Sequence, residues 1–300
     1  MTTQELITLR EAANRQRSSR LARVITGFPD RRATIQWRKV ALPDRELQVR
    51  IYRPASGPDG ARTDLPLVLH VHGGGFVGTA VQSDWVNSHL AVQLPATVVS
   101  VEHRLLDPQT PLSALVDDGW DVLQHVVRHA ARWGINPEQI ALFGESTGGM
   151  VAALAAIRAR DAGLPLRAQV LVNPAVDLTE AMFDHTSFTR HANSPTLTMT
   201  QMRLLHRFAV PPGTDPRPLS PLHADDLSGL APALVVVPTI DPVADHGRSY
   251  TERLRTAGTF ARLAEYPGAT HAFLSMPGLV PHAKAARAEI LQFLRRAFSG

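Results

Sequence analysis

The segment Ile140-Ala141-Leu142-Phe143-Gly144-Glu145-Ser146-Thr147-Gly148-Gly149 constrains this chain more than any other. An apolar strand pattern runs straight into Gly-X-Ser-X-Gly, and an alanine-rich helical run from Met150 to Ala162 follows and stops at Gly163. A strand that turns so abruptly into a helix must cross it closely, and Gly144 and Gly148 remove the side chains that would block the crossing. Ser146 then stands at the tip of the turn, where a weakly nucleophilic hydroxyl is exposed beside a backbone N–H. A plain glycine-rich turn shares the bare pattern, so the reading depends on what accompanies it.

Upstream, Leu65-Pro66-Leu67-Val68-Leu69-His70-Val71 reads as a buried strand and ends in His72-Gly73-Gly74-Gly75-Phe76. Three consecutive glycines cost backbone entropy, and an oxyanion hole gives a reason for them, because backbone N–H groups can then face a developing negative charge unobstructed. The spacing matches neither a P-loop nor a dinucleotide-binding fingerprint. Downstream, the strand Ala233 to Val237 is followed by Thr239-Ile240-Asp241-Pro242-Val243-Ala244-Asp245, and a weaker strand, Ala261 to Tyr266, by the loop Pro267-Gly268-Ala269-Thr270-His271-Ala272-Phe273. A serine nucleophile needs a base, and the base needs an orienting acid. Ser146, Asp241 and His271 occur in that chain order, with Asp245 close enough to compete for the acid's place.

The remaining pattern is α/β. Ala33 to Val40 and Glu46 to Tyr52 read as an opening antiparallel pair, and strands recur at Leu67 to Val71, Thr97 to Glu102, Gln139 to Phe143, Ala168 to Asn173 and Ala233 to Val237. Helices are expected at Leu112 to Trp133, Met150 to Ala162 and Ala283 to Ala297, giving a mostly parallel, doubly wound sheet. With 300 residues and 44% hydrophobic content, one domain with a sizeable core is expected over 1–300. Two stretches fall outside the alternation. Residues 1–28 form a basic amphipathic stretch with Leu6, Leu9, Ala13 and Leu21 on its apolar side, and 178–218 form an irregular insertion rich in Pro, His and Met.

The net charge of +4 comes from scattered arginines, since Lys39 and Lys284 are the only lysines, which argues against nucleic-acid binding. Without cysteine there is neither a disulfide nor a thiolate metal site. The N-terminus lacks a basic and apolar leader pattern and no run reaches spanning length, so no membrane partner and a cytoplasmic location are expected.

Taken together, the four motifs resemble the hormone-sensitive-lipase-like branch of the α/β hydrolases, the bacterial family IV esterases, over roughly residues 40–298. That family carries a His-Gly-Gly-Gly loop, a Gly-Asp-Ser-Ala-Gly-Gly elbow, an Asp-Pro-Leu-x-Asp turn and a His-Gly-Phe loop. This chain has His72 to Gly75, Gly144 to Gly149, Asp241 to Asp245 and His271 to Phe273 in the same order. Glu145, Thr147 and Ala272 depart from it; Glu145 is expected to pack against neighbouring loops, and Arg104 to pair with Asp117 or Asp118.

The resemblance implies an α/β-hydrolase fold with a helical cap built from 1–28 and 178–218. It also implies a cofactor-free and metal-free carboxylesterase acting on short to medium acyl esters. Ser146 would attack, His271 serve as base and Asp241 orient it, while the N–H groups of Gly74, Gly75 and Thr147 receive the oxyanion. Phe76, Phe183, Met199, Met202, Leu205 and Phe208 are the candidate walls of the substrate pocket, with Phe188 beside them. An acyltransferase, dehydratase or cyclase on the same fold, and a non-catalytic small-molecule binder, stay open, as do the natural acyl and alcohol groups and pairing into a homodimer.

Overall fold

The computed structural model describes residues 3–55, 63–75, 77–107 and 109–299; Phe76 lies outside them, as do the side chains of Leu6 and Leu9. Among the described residues the strands form one eight-stranded sheet. They are β1 (Ala33–Ala41), β2 (Glu46–Pro54), β3 (Leu65–Val71), β4 (Thr97–Val101), β5 (Ile135–Glu145), β6 (Ala168–Val172), β7 (Ala233–Ile240) and β8 (Ala261–Thr270), in spatial order β1-β2-β4-β3-β5-β6-β7-β8. β1 with β2 and β2 with β4 are antiparallel, and every other pair is parallel.

The helices are α1 (Thr3–Arg17), α2 (Arg23–Thr26), α3 (Asp84–Gln93), α4 (Leu112–Arg128), α5 (Ala130–Trp133), α6 (Thr147–Asp161), α7 (Thr186–Arg190), α8 (Met199–Ala209), α9 (Ala244–Thr256) and α10 (His282–Ser299). Successive strand residues point to opposite faces. Leu67, Leu69 and Val71 of β3 therefore join Leu115 and Val122 of α4 and Val151 of α6 in one core. Val68 joins Val86 of α3 and Ile290 of α10 in the other. Helices on both faces are why the central strands read as unbroken apolar runs. No helix among the described residues is long and apolar enough to cross a membrane.

Three local expectations change. The helix expected from Leu112 to Trp133 breaks at His129, whose φ of −110° and ψ of 28° are not helical, into α4 and α5. Leu21, expected on an apolar helix face, is 84% exposed, because α1 ends at Arg17 and Leu21 falls in the turn before α2. The loop expected after Tyr266 is instead strand as far as Thr270. β7 runs past a register shift at Pro238 to Ile240, so Thr270 has a partner there, and Gly268 N–H donates to Thr239 Oγ1 at 3.0 Å.

Immediately beyond β8, Ala272 is left-handed, with φ 58° and ψ 19°. A β-carbon costs about 1–2 kcal/mol in that region, of which glycine returns part through its freer unfolded chain. Ala272→Gly is expected to raise stability by about 0.5–1 kcal/mol, measured as a thermal midpoint higher by roughly 1–3 °C; an unchanged or lower midpoint contradicts the strain.

His246 of α9 is completely buried, and neither ring nitrogen has a partner among the described residues. Its ring lies 5.2 Å from that of His185 and 5.8 Å from that of Phe188, and the charges of Asp177, Asp245 and His223 also reach it. Burial, reinforced by His185, pushes its pKa from 6.5 down to about 3. With the folded value below the unfolded one, the unfolded chain takes the proton first as pH falls, so this contribution to stability is constant above about pH 6.5 and is lost progressively toward pH 3. His246→Leu is expected to narrow the difference in urea midpoint between about pH 7 and about pH 4.5; an undiminished difference places the acid sensitivity elsewhere.

Candidate active site

β5 lies between β3 and β6, and its last paired residues, Gly144 opposite Val71 and Glu145 opposite Val172, bring the chain to the carboxyl edge of the sheet. Ser146 N–H donates to Val172 O at 2.9 Å, which carries the edge one residue further before α6 begins at Thr147. Ser146 itself has φ 53° and ψ −118°. A β-carbon on Gly148 would lie 2.2 Å from Val71 O, and one on Gly144 would lie 2.1 Å from Gly148 O. Both glycines are therefore demanded by the approach of α6 to β3 and β5.

The Ser146 hydroxyl lies 2.9 Å from His271 Nε2, and His271 Nδ1 lies 2.8 Å from Asp241 Oδ2. Asp241 is fully buried, and its other oxygen accepts from Val243 N–H at 3.0 Å. With Nδ1–H donating to the carboxylate, Nε2 faces the hydroxyl as an acceptor. Asp245 is turned elsewhere: it accepts from the Ser187 N–H of α7 at 2.8 Å and from Arg248 Nη1 at 2.7 Å.

The glycine loop after β3 packs against this turn. A β-carbon on Gly73 would be 3.3 Å from Ser146 Cβ, and one on Gly75 would be 3.5 Å from Thr147 Oγ1. Gly73 O is held by two donors, His72 Nδ1–H at 3.0 Å and Gln82 Nε2 at 3.1 Å. His72 is fully buried and stacked on His103 at 4.1 Å, and burial keeps its pKa well below 6.5, so it is neutral. Fixing that carbonyl fixes the peptides that follow. Gly74, at φ 97°, could not carry a side chain, since Val77 O would lie 2.1 Å from its β-carbon. The N–H groups of Gly74, Gly75 and Thr147 have no acceptor among the described residues.

Glu145 is 2% exposed and accepts from Ser83 Oγ at 3.3 Å and Ser275 Oγ at 3.0 Å, with His70 Nε2 3.6 Å away. It thus bonds the elbow to the turn that follows His271. Arg104 pairs with Asp118 at 2.8 Å, while Asp117 belongs to Arg158.

Ser146 and His271 open into a cavity of about 420 Å³, within the range of small-molecule sites. Met202, Leu205 and Phe208 of α8 line it. Phe183 and Met199 do not: Phe183 packs edge-on against Phe188 and His206, and Met199 packs against the small cluster of Met182, Phe188 and Met202. Their apolar character reflects local core rather than the wall.

The sequence reading missed Leu178, Met182, Leu197 and Val243, which do line the cavity, and also Arg17, Gln82 and Asn173. Asn173, with φ 37°, places Nδ2 3.4 Å from His271 Nε2. Its position just past the carboxyl end of a parallel strand is the signal that could have found it, because ligands of open α/β sheets gather there.

Residues 68–275 match the model of a family described by its alpha/beta hydrolase fold. The chain is 37% identical over 261 residues to the carboxylesterase NlhH of Mycobacterium tuberculosis, covering 84% of this chain and 79% of that protein. It is 34% identical over 245 residues to an arylesterase of Saccharolobus solfataricus, covering 80% and 76%. Among solved structures, the hyperthermophilic esterase of the archaeon Pyrobaculum calidifontis superposes with a TM-score of 0.86 at 31% identity, over 97% of this chain and 93% of that one. The chain belongs to the α/β-hydrolase fold family, in its hormone-sensitive-lipase-like branch of bacterial family IV esterases.

Proposed function

We propose that this protein is a serine carboxylesterase acting on short to medium acyl esters through Ser146, His271 and Asp241. The observation that carries the reading is the unbroken relay from a hydroxyl on a strained turn to Nε2 at 2.9 Å and from Nδ1 to a buried carboxylate at 2.8 Å. His271 takes the Ser146 proton as Oγ attacks the ester carbonyl, and Asp241 stabilises the imidazolium that forms. The negative oxygen turns toward the N–H groups of Gly74, Gly75 and Thr147, which have no acceptor among the described residues. The alcohol departs with the proton from His271, and water repeats the sequence on the acyl-enzyme.

The esterase names of the relatives favour this class over acyl transfer, elimination or mere binding. A 420 Å³ cavity suits short and medium chains. We assign the cap to 1–28 and 178–218, because Arg17 of α1 and Met202, Leu205 and Phe208 of α8 stand over the cavity that Ser146 and His271 enter from the sheet. The cysteine-free composition suits the reducing cytoplasm, where we place the enzyme.

Hydrolysis of p-nitrophenyl esters from acetate to palmitate is expected to fall away beyond medium chains. Ser146→Ala should lower kcat by at least about 10⁴-fold, and a phosphonate should label Ser146 in the wild type by mass spectrometry. A wild type that neither turns over nor labels would refute the esterase reading. Glu145 is a positioning residue whose loss leaves buried donors unmatched. Glu145→Ala is expected to cost about 1–3 kcal/mol in urea unfolding and to lower kcat more than it raises KM, with Glu145→Gln restoring most of both. Equal effects of the two substitutions would remove that role.

A further inference from the structure

One polar group at the cavity takes no part in the hydrolysis just described. Arg17, the last residue of α1, lines the cavity together with Gly73, Gly74, Gly75, Ser146 and Thr147. Its Nη1 donates to Val77 O at 3.3 Å and to Gln82 Oε1 at 3.4 Å. Gln82 is buried and donates in turn to Gly73 O at 3.1 Å, and Gly73 touches Ser146. Two hydrogen bonds therefore connect the guanidinium to the backbone beside the nucleophile. The helix that carries it is anchored a second time, by Arg10, whose Nη1 bonds to Leu105 O and Leu106 O and whose Nη2 lies 3.8 Å from Asp107.

Both acceptors held by Arg17 are neutral oxygens, and both occupy Nη1. Among the described residues no carboxylate pairs with it, and no other arginine lines the cavity. The residue as a whole is exposed, while enough protein surrounds its guanidinium to lower its pKa by desolvation. An arginine stays charged through such a shift. Nε and Nη2 are the donors that remain to a planar partner, and a guanidinium offers them to a carboxylate in matching geometry. Much of the buried lining is apolar, with Met150, Met182, Leu197 and Met202. The lining thus joins apolar surface that suits hydrocarbon to a single guanidinium that suits an anion.

We infer that Arg17, held by Gln82, is a carboxylate-recognition subsite, and that the preferred substrates are esters bearing a free carboxylate apart from the bond that is cleaved. The inference rests on the Ser146 esterase reading and adds the substrate class. A carboxylate meeting a partly desolvated guanidinium that no carboxylate among the described residues pairs gains a charge-assisted pair that a neutral ester lacks, on the order of tenfold to a hundredfold in affinity.

The test compares kcat/KM for mono(p-nitrophenyl) adipate with p-nitrophenyl hexanoate, and for 4-acetoxybenzoate with 4-acetoxybenzamide, each corrected for the enzyme-free rate. In the wild type, one of the two anionic esters is expected to lead its neutral isostere by about tenfold or more, mainly through KM. The first pair places the carboxylate on the acyl side and the second on the alcohol side. In Arg17→Gln that ratio should fall to about one, and Arg17→Lys should keep part of it. Ratios equal in wild type and Arg17→Gln overturn the subsite while leaving the esterase standing. If neutral and anionic esters are alike untouched, the esterase reading is what fails. Calorimetric binding of adipate monoethyl ester, which needs no turnover, then decides the subsite: a Kd about tenfold weaker in Arg17→Gln supports it, and an equal Kd overturns it.

Discussion

Ser146 is held at φ 53° and ψ −118°, a backbone state that costs an ordinary L-residue of order 1–3 kcal/mol and persists only where its surroundings over-determine it. Those surroundings are the sheet itself. Parallel pairing to β3 and β6 on either side delivers Ser146 to the edge, and its N–H is taken by Val172 O. α6 then leaves so close to the end of β3 that no side chain fits at Gly148. The strain at one residue is thus balanced by the burial of central strands and of an alanine-rich helix. Asp241 and His271 reach Ser146 only because β7 and β8 end at the same edge.

Much of this was legible in the sequence for a definite physical reason. A residue whose conformation or close approach admits only glycine leaves glycine in the chain, and an acid and base that must follow successive parallel strands appear after successive apolar runs. Gly144, Gly148, Gly73 to Gly75, Asp241 and His271 all signal in that way. Choosing between Asp241 and Asp245 needed the fold, since both lie in one short turn. In the folded chain Asp241 meets His271, and Asp245 meets Ser187 and Arg248.

The cavity wall was much less legible. Met and Phe residues at helical spacing carry the same apolar signal whether they face a cavity or a neighbouring helix, so Phe183 and Met199 read like Met202 and Leu205 but lie in the local packing instead. Arg17 was hidden for a related reason. In a chain that uses arginine almost exclusively as its cation, one arginine among many says nothing until its partners are known. What distinguishes it is its place in the cavity wall beside the glycine loop, and that is a property of three-dimensional neighbours. β8 was legible only as far as Tyr266, because its last residues are strand by virtue of the bulged partner β7 rather than by their own propensity.

The insertion 178–218 is mechanically joined to the turn that carries Asp241, and α1 to the glycine loop. Ser187 of α7 donates its hydroxyl to Pro242 O at 2.6 Å and its N–H to Asp245, so the turn that carries Asp241 is also the floor on which the insertion rests. On the opposite side, α1 reaches the glycine loop through Arg17, Gln82 and Gly73. A ligand that draws on the Arg17 guanidinium therefore pulls on the loop that presents the Gly74 and Gly75 N–H groups, and one that fills the space under α8 presses on the insertion anchored at Asp245. Both segments lie outside the sheet, whereas the relay from Ser146 through His271 to Asp241 is set by strand ends. On the proposed esterase reading, substrate specificity resides in the attached segments and the bond-making geometry in the sheet.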